Sequence, residues 1–299
     1  MSWSCPVCAS PDGTRAFAVP ETGGECGISG TGFRPSANAF GSTVGEVLRC
    51  ARCGHGSVKD APLDDSLAEA YGDAADPVSV REEAGQVETG RRSLAFVEKH
   101  LAPGSILDVG CWTGSLLVAA AERGWTPIGL EPSRWASDRA RERGLDVRTT
   151  DLEHHGLAAE SIHVVAACDV LEHLPDPGAG LDAMRELVAP GGGVFLTVPD
   201  AGSRLARLTG RRWWSVLPMH LQYFTRDSMS QLLTSHGFRV LAVTTHPKVF
   251  TARYYAERFG GYSSALEKLL VGAVARVGQA DRLVAPDFHD RMAVVAART

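Results

Sequence analysis

The chain has 299 residues, enough to bury a full core and carry an appendage. Its apolar and charged shares, 44% and 22%, are those of an ordinary globular protein, and a net charge of −5 argues against general nucleic-acid binding. No apolar run reaches the roughly 18 residues of a membrane span. The opening Met1-Ser-Trp-Ser-Cys-Pro also lacks the basic and apolar regions of a secretion signal, so no membrane partner and a cytoplasmic, thiol-reducing setting are expected.

In that setting the seven cysteines are ligands, core residues or reactive thiols. Cys5-Pro-Val-Cys8 and Cys50-Ala-Arg-Cys53 form two knuckles, each able to turn two sulfurs toward one point; together they complete a tetrahedral zinc site. A redox Cys-x-x-Cys is the alternative, but that motif comes singly. Cys26 has no partner and is expected to be unliganded, while His55 suits packing better than ligation. A closed four-thiolate site leaves no open position, so the zinc is assigned to folding. Residues 1–60 are thus expected to form a small β-rich zinc-binding domain, with linker and helices over 61–104, including a helix from Glu88 to His100.

From Ile106 the chain alternates. The apolar run to Val109, broken by Asp108, predicts a strand; Gly110 and Gly114 bracket a tight turn, and a helix follows from Ser115. Further strands are expected over Thr126–Glu131, Asp146–Thr150, Ser161–Ala167, Val194–Val198 and Phe238–Thr244. Helices are expected over Ser133–Arg143, Gly180–Val188 and Thr225–His236. Residues 247–279 read as mostly helical, and Arg291–Ala297 as a last strand. Such alternation means α/β: a mostly parallel, Rossmann-like sheet with helices on both faces. Residues 105–299 are assigned to this domain, with a helical insertion at 247–279.

Ligands of such sheets bind at the carboxyl ends of the strands. Asp108, Glu131, Asp151 and Asp169 stand at four successive ends. Glu131 is placed to accept from two ribose hydroxyls, and Asp151 beside Leu152 to take an adenine amino group, although a helix N-cap would also account for Asp151. A dinucleotide site would want Gly-x-Gly-x-x-Gly, and Trp112 stands where its middle glycine would be. A ligand with a carboxylate and an ammonium in place of a phosphate suits the turn better, and S-adenosylmethionine is such a ligand.

The runs ILDVGCWTG, IGLEPS, TTDLE, CDVLEHLPDP and LVAPGGGVFLTVPD resemble the class I S-adenosylmethionine-dependent methyltransferases, and most of all their small-molecule, ubiquinone-biosynthesis-like branch. The resemblance covers roughly residues 90 to 245. It implies seven strands, the last antiparallel, which would be Arg291–Ala297. It also implies that Asp108 and Gly110 hold the methionine ammonium, Gly114 permits close packing, and Glu131 takes the ribose. Asp151 and Leu152 would take the adenine, and Asp169 and Val170 the methyl-donor side. Cys111 belongs to the turn and is expected to pack. With the knuckles, the chain is similar to natural-product and deoxysugar methyltransferases that carry a small zinc domain, though those acting on sugars have a longer carboxyl-terminal region.

The segment after the fifth strand normally closes over the acceptor. There His220 is the candidate base and Tyr223 the orienting hydroxyl, with His173 second to His220 and a histidine satisfying a lid as the bland alternative. Arg211, Arg212, Trp213 and Trp214 invite an anionic or carrier-bound, partly aromatic small molecule, unless they form a solvated face with two anchoring tryptophans. Two further readings stand beside this one. An RNA methyltransferase gripping nucleic acid with its knuckles is disfavoured by a knuckle region that is not basic, and a non-catalytic cofactor-binding scaffold also fits the sequence.

Overall fold

The computed structural model describes residues 3–17, 38–61 and 71–299. Cys26 and the start of the expected linker lie outside the described residues. Seven strands form the central sheet: β4 (Ser105–Val109), β5 (Thr126–Leu130), β6 (Val147–Arg148), β7 (Ile162–Cys168), β8 (Val188–Pro199), β10 (Phe238–Thr245) and β13 (Arg291–Arg298). Their order is β10-β13-β8-β7-β4-β5-β6. β13 runs antiparallel between β8 and β10, while the pairs from β8 to β6 are parallel. The expected mostly parallel sheet with one antiparallel strand is therefore present.

Strand periodicity divides the core. On β4, Leu107 and Val109 join one apolar cluster with Val165 and Ala167 of β7, while Ile106 joins the other with Val164 and Ala166. The first cluster is covered by α4 (Pro177–Leu187) and α6 (Arg226–Ser235) through Leu181, Met184, Met229 and Leu232. The second is covered by α1 (Glu83–Val97) and α2 (Ser115–Glu122) through Leu94, Val97, Ala119 and Ala120. A sheet buried on both faces needs near-continuous apolar strands, which is why β7 reads IHVVAAC.

Helix starts follow their caps. Ser133 accepts from the Ala136 N–H to open α3 (Arg134–Glu142), and Thr225 and Ser228 form a reciprocal capping box on α6. Helix α1 begins earlier than its periodicity suggests, on a 3-10 turn over Ser79–Glu82, and the third strand shortens to two residues at the sheet edge. The stretch read as one helical insertion is broken. β11 (Phe250–Thr251) pairs with β12 (Leu283–Val284), and between them lie α7 (Ala252–Glu257), a 3-10 turn containing Gly260 and Gly261, and α8 (Ser264–Arg276).

A second sheet holds the knuckles. β1 (Gly13–Phe17), β2 (Val47–Cys50) and β3 (Gly56–Val58) form an antiparallel ribbon, and its fourth strand is β9, Gln222–Tyr223. The segment after β8 thus closes the amino-terminal sheet. α5 (Arg204–Thr209) lies at the start of that segment.

Candidate active site

A cavity of about 1170 Å³ opens at the carboxyl ends of β4, β5 and β7. At its floor the turn after β4 is left-handed at Gly110 (φ +67°), Trp112 (φ +50°) and Gly114 (φ +80°). At Gly114 a φ of +80° strains any other residue, and a Cβ would also stand 2.3 Å from Leu145 Cδ1. The N–H groups of Gly110 and Cys111 donate to the Leu130 carbonyl at 2.8 and 3.1 Å, and that of Gly114 to the Cys111 carbonyl. Trp112 N–H donates to Glu131 Oε2 at 2.7 Å, and Ser133 N–H to Oε1 at 2.8 Å. A pyrophosphate would need such N–H groups free; here they bind the protein.

Two buried carboxylates face this floor. Burial pushes the Glu131 pKa up to about 7, against the two N–H bonds that hold it down. Asp108 is 3% exposed, and its Oδ1 has no hydrogen-bond partner among the described residues. Burial, then the neighbouring Glu131, push its pKa well above the carboxylate range. A buried carboxylate oxygen without a partner is a ready seat for an ammonium group. Asp151 and Leu152 also line the cavity, but Asp151 Oδ1 is engaged by its own turn, through the N–H groups of Glu153 and His154 and the His154 ring.

Across the floor, Asp169 sits in left-handed backbone (φ +58°), and its carboxylate pairs with both Lys248 and Arg291. Beyond it, three polar side chains gather. Glu172 is 1% exposed, and neither of its oxygens bonds another residue; burial raises its pKa to about 8. His173 Nδ1 faces the Met219 carbonyl at 3.0 Å, and His220 Nδ1 the Ser215 carbonyl at 2.8 Å. Their rings meet edge to face at 4.8 Å. Burial lowers both pKa values, that of His220 to about 4, so both imidazoles are neutral at pH 7. Aromatic rings also line the cavity, among them Phe40, Trp214, Tyr254, Tyr262 and Phe288.

The cavity therefore brings together Asp108, Gly110, Cys111, Glu131, Asp151, Leu152, Asp169, Val170, His220 and Trp214 from the candidate set. Gly114 stands behind the turn. The remaining candidates are elsewhere. Tyr223 is on β9 with its ring edge-on to Phe17 at 5.9 Å and its hydroxyl buried without a partner. Trp213 is core, its indole N–H donating to Asp290 at 2.7 Å. Arg211 and Arg212 are exposed, outside the cavity lining. A short 3-10 turn over Gly210–Arg212 carries the two arginine side chains outward, which sequence spacing does not reveal. Conversely, Lys248, Arg291 and Glu172 were missed. The one signal for Lys248 is a rare lysine set between Pro247 and Val249-Phe250, and for Glu172 its place beside His173.

In the amino-terminal ribbon the four knuckle sulfurs converge. Cys5 and Cys53 Sγ are 3.5 Å apart, as are Cys8 and Cys50, and all four lie within 4.8 Å of one another. Zinc–sulfur bonds of about 2.3 Å put tetrahedral sulfurs about 3.8 Å apart, so the donor set fits that ion. His55 is fully buried, with Nε2 on Gln222 at 3.0 Å and its ring on Phe224, a packing role.

Residues 82–243 match the family model described as a methyltransferase domain. The chain belongs to that family, the class I S-adenosylmethionine-dependent methyltransferases. Over 100 residues it is 35% identical to the ubiquinone biosynthesis O-methyltransferase of Leptothrix cholodnii. Over 99 residues it is 39% identical to that of Salmonella newport. These stretches are 31% of this chain and 43% and 41% of those enzymes, so the chain spans less than half the length of the curated relatives it matches. A chain in the complex of the Haloferax volcanii Trm112 methyltransferase activator with a methyltransferase shares the fold. Its TM-score is 0.50 at 13% identity, covering 72% of this chain and 92% of that one.

Proposed function

We propose that the protein transfers the methyl group of S-adenosylmethionine to a small-molecule acceptor, in natural-product or sugar biosynthesis, and that a structural zinc holds its amino-terminal sheet. One observation carries this reading: a single cavity joins the carboxylates at three strand ends to the buried His173–Glu172–His220 patch beyond Asp169. The orphaned Asp108 oxygen suits the methionine ammonium, and Glu131, held by two N–H groups, keeps lone pairs for the ribose. Asp151 and Leu152 flank the adenine, and Asp169 with Val170 bounds the methyl side.

Methyl transfer is an in-line displacement at an activated carbon, so the protein aligns the partners and removes a proton where the acceptor needs it. His220 is the proton acceptor in this reading. Its Nδ1 faces a carbonyl, which leaves Nε2 with an unshared pair. The acceptor sits against the aromatic wall that includes Trp214, not against Arg211 and Arg212. Cys5, Cys8, Cys50 and Cys53 hold the zinc, a set that requires reduced thiols.

The test is titration calorimetry with S-adenosylhomocysteine, followed by an acceptor screen with methyl-labelled cofactor. Binding should weaken by about a hundredfold in Asp108→Asn, the scale of a lost charge-assisted bond with a buried partner left unpaired. Undiminished affinity in that variant, or no binding by the wild type, rejects the cofactor site.

A further inference from the structure

We propose that Glu172, His173 and His220 bind a divalent first-row cation, of the class Mn²⁺, Fe²⁺, Co²⁺ or Zn²⁺, at the acceptor end of the cavity. The inference rests on the reading that this end receives the acceptor, and it concerns a site separate from the four cysteines.

Three observations converge. One donor atom from each of the three residues lies within 4.8 Å of the others. The two imidazoles are oriented as metal-binding imidazoles are, Nδ1 held by a backbone carbonyl (Met219 for His173, Ser215 for His220) and Nε2 left with the lone pair. Glu172 supplies what neither histidine explains, a carboxyl group at 1% exposure whose oxygens bond no other residue among the described ones. Burying a carboxylate with no donor is costly, and such groups are normally paired or coordinate a metal. Lys248 attracts Glu172 through space, but its ion pair, like that of Arg291, is with Asp169, so neither cation is bonded to Glu172.

The chemistry of the set narrows the ligand. Two imidazole nitrogens and one carboxylate suit borderline first-row ions better than Mg²⁺ or Ca²⁺, and they leave coordination positions open. All three residues line the cavity, so those positions would take oxygen atoms of an acceptor. With the ion seated, His220 Nε2 would be its ligand, and the ion's acidifying of a bound acceptor hydroxyl would stand in for proton removal by a free His220. Metal–donor bonds of about 2.0–2.2 Å put neighbouring donors about 3–3.5 Å apart, so the cluster must contract by about an ångström, within reach of side-chain rotation. Donors come from both the turn after β7 and the segment closing the amino-terminal sheet, so the ion would tie the lid to the catalytic sheet.

The experiment uses the full chain with its cysteine site loaded, saturated with S-adenosylhomocysteine and titrated with Mn²⁺, an ion thiolates bind poorly. Free Mn²⁺ is followed by electron paramagnetic resonance. We expect one Mn²⁺ per chain, with imidazole nitrogen modulation in the spin echo of the wild type, and affinity about tenfold or more weaker in Glu172→Gln and His173→Asn. Calorimetry with S-adenosylhomocysteine certifies each variant as folded, and the wild-type spin echo needs no variant at all. Absence of a bound ion, absence of nitrogen modulation, or unchanged affinity in both variants overturns the cation site. If adenosylhomocysteine binds and Mn²⁺ does not, the cation is rejected and the methyltransferase reading stands. If adenosylhomocysteine itself does not bind, that reading is the one that fails.

Discussion

The two ends of the cavity are built differently. The end proposed for the cofactor comes from four strand ends within residues 108–169, held by bonds between neighbouring strands such as Trp112 N–H to Glu131. The end proposed for the acceptor is assembled from pieces distant in sequence: Phe40, Glu172 and His173, the segment with Trp214 and His220, and residues between Lys248 and Arg291. A parallel sheet dictates where its strand ends fall, so the cofactor end follows from topology. The acceptor end depends on whether the amino-terminal sheet and the insertion hold their places.

Breaking the amino-terminal sheet should therefore separate the two ends most sharply. Cys50→Ser removes a knuckle sulfur, and zinc sites of this kind supply on the order of 10 kcal/mol of folding free energy. Because β9 belongs to that sheet, His220 should lose its position. Acceptor methylation is expected to vanish while adenosylhomocysteine affinity stays within a few-fold. Parallel calorimetry and activity measurements decide it, and equal loss of both would show the ends to be one unit.

A smaller effect, confined to the acceptor end, is expected from His220→Ala: turnover falls about a hundredfold, the scale of general-base catalysis, with cofactor binding unchanged. A fully active variant removes His220 from the reaction.

Glu172 gives a signed pH effect. Its folded pKa is raised from 4.5 to about 8, so between those values the folded chain holds more protons than the unfolded one, and stability falls as pH rises. Melting temperatures of the cofactor-free protein from pH 5 to 8 should therefore decline less in Glu172→Gln than in the wild type. Parallel profiles would mean that Glu172 is not buried as a free carboxylate. The smallest effect belongs to Arg211 and Arg212. Replacing both with alanine should leave acceptor KM within about twofold, as for exposed side chains outside a site; a tenfold rise would return them to acceptor binding.

The strand-end arrangement proposed for the cofactor was legible because its determinants are local. An apolar run broken by Asp108, glycines at left-handed positions, and a carboxylate at each following strand end can all be read along the chain. The motif spacing also located Cys5, Cys8, Cys50 and Cys53, now within 4.8 Å of one another. The sequence by itself determined the order of strands and helices, the glycine turn and the pairing of knuckles, since each arises from periodicity or from short-range covalent reach. Only the tertiary structure decided which side chains of 204–224 line the cavity. A two-residue strand, β9, turns Tyr223 into the amino-terminal sheet, and a 3-10 turn sends Arg211 and Arg212 to solvent, while His220 stays inside. It also brought Lys248 and Arg291 onto Asp169 across gaps of 79 and 122 residues. Short irregular segments carry no periodicity, and contacts over such separations exist only once the sheet has folded.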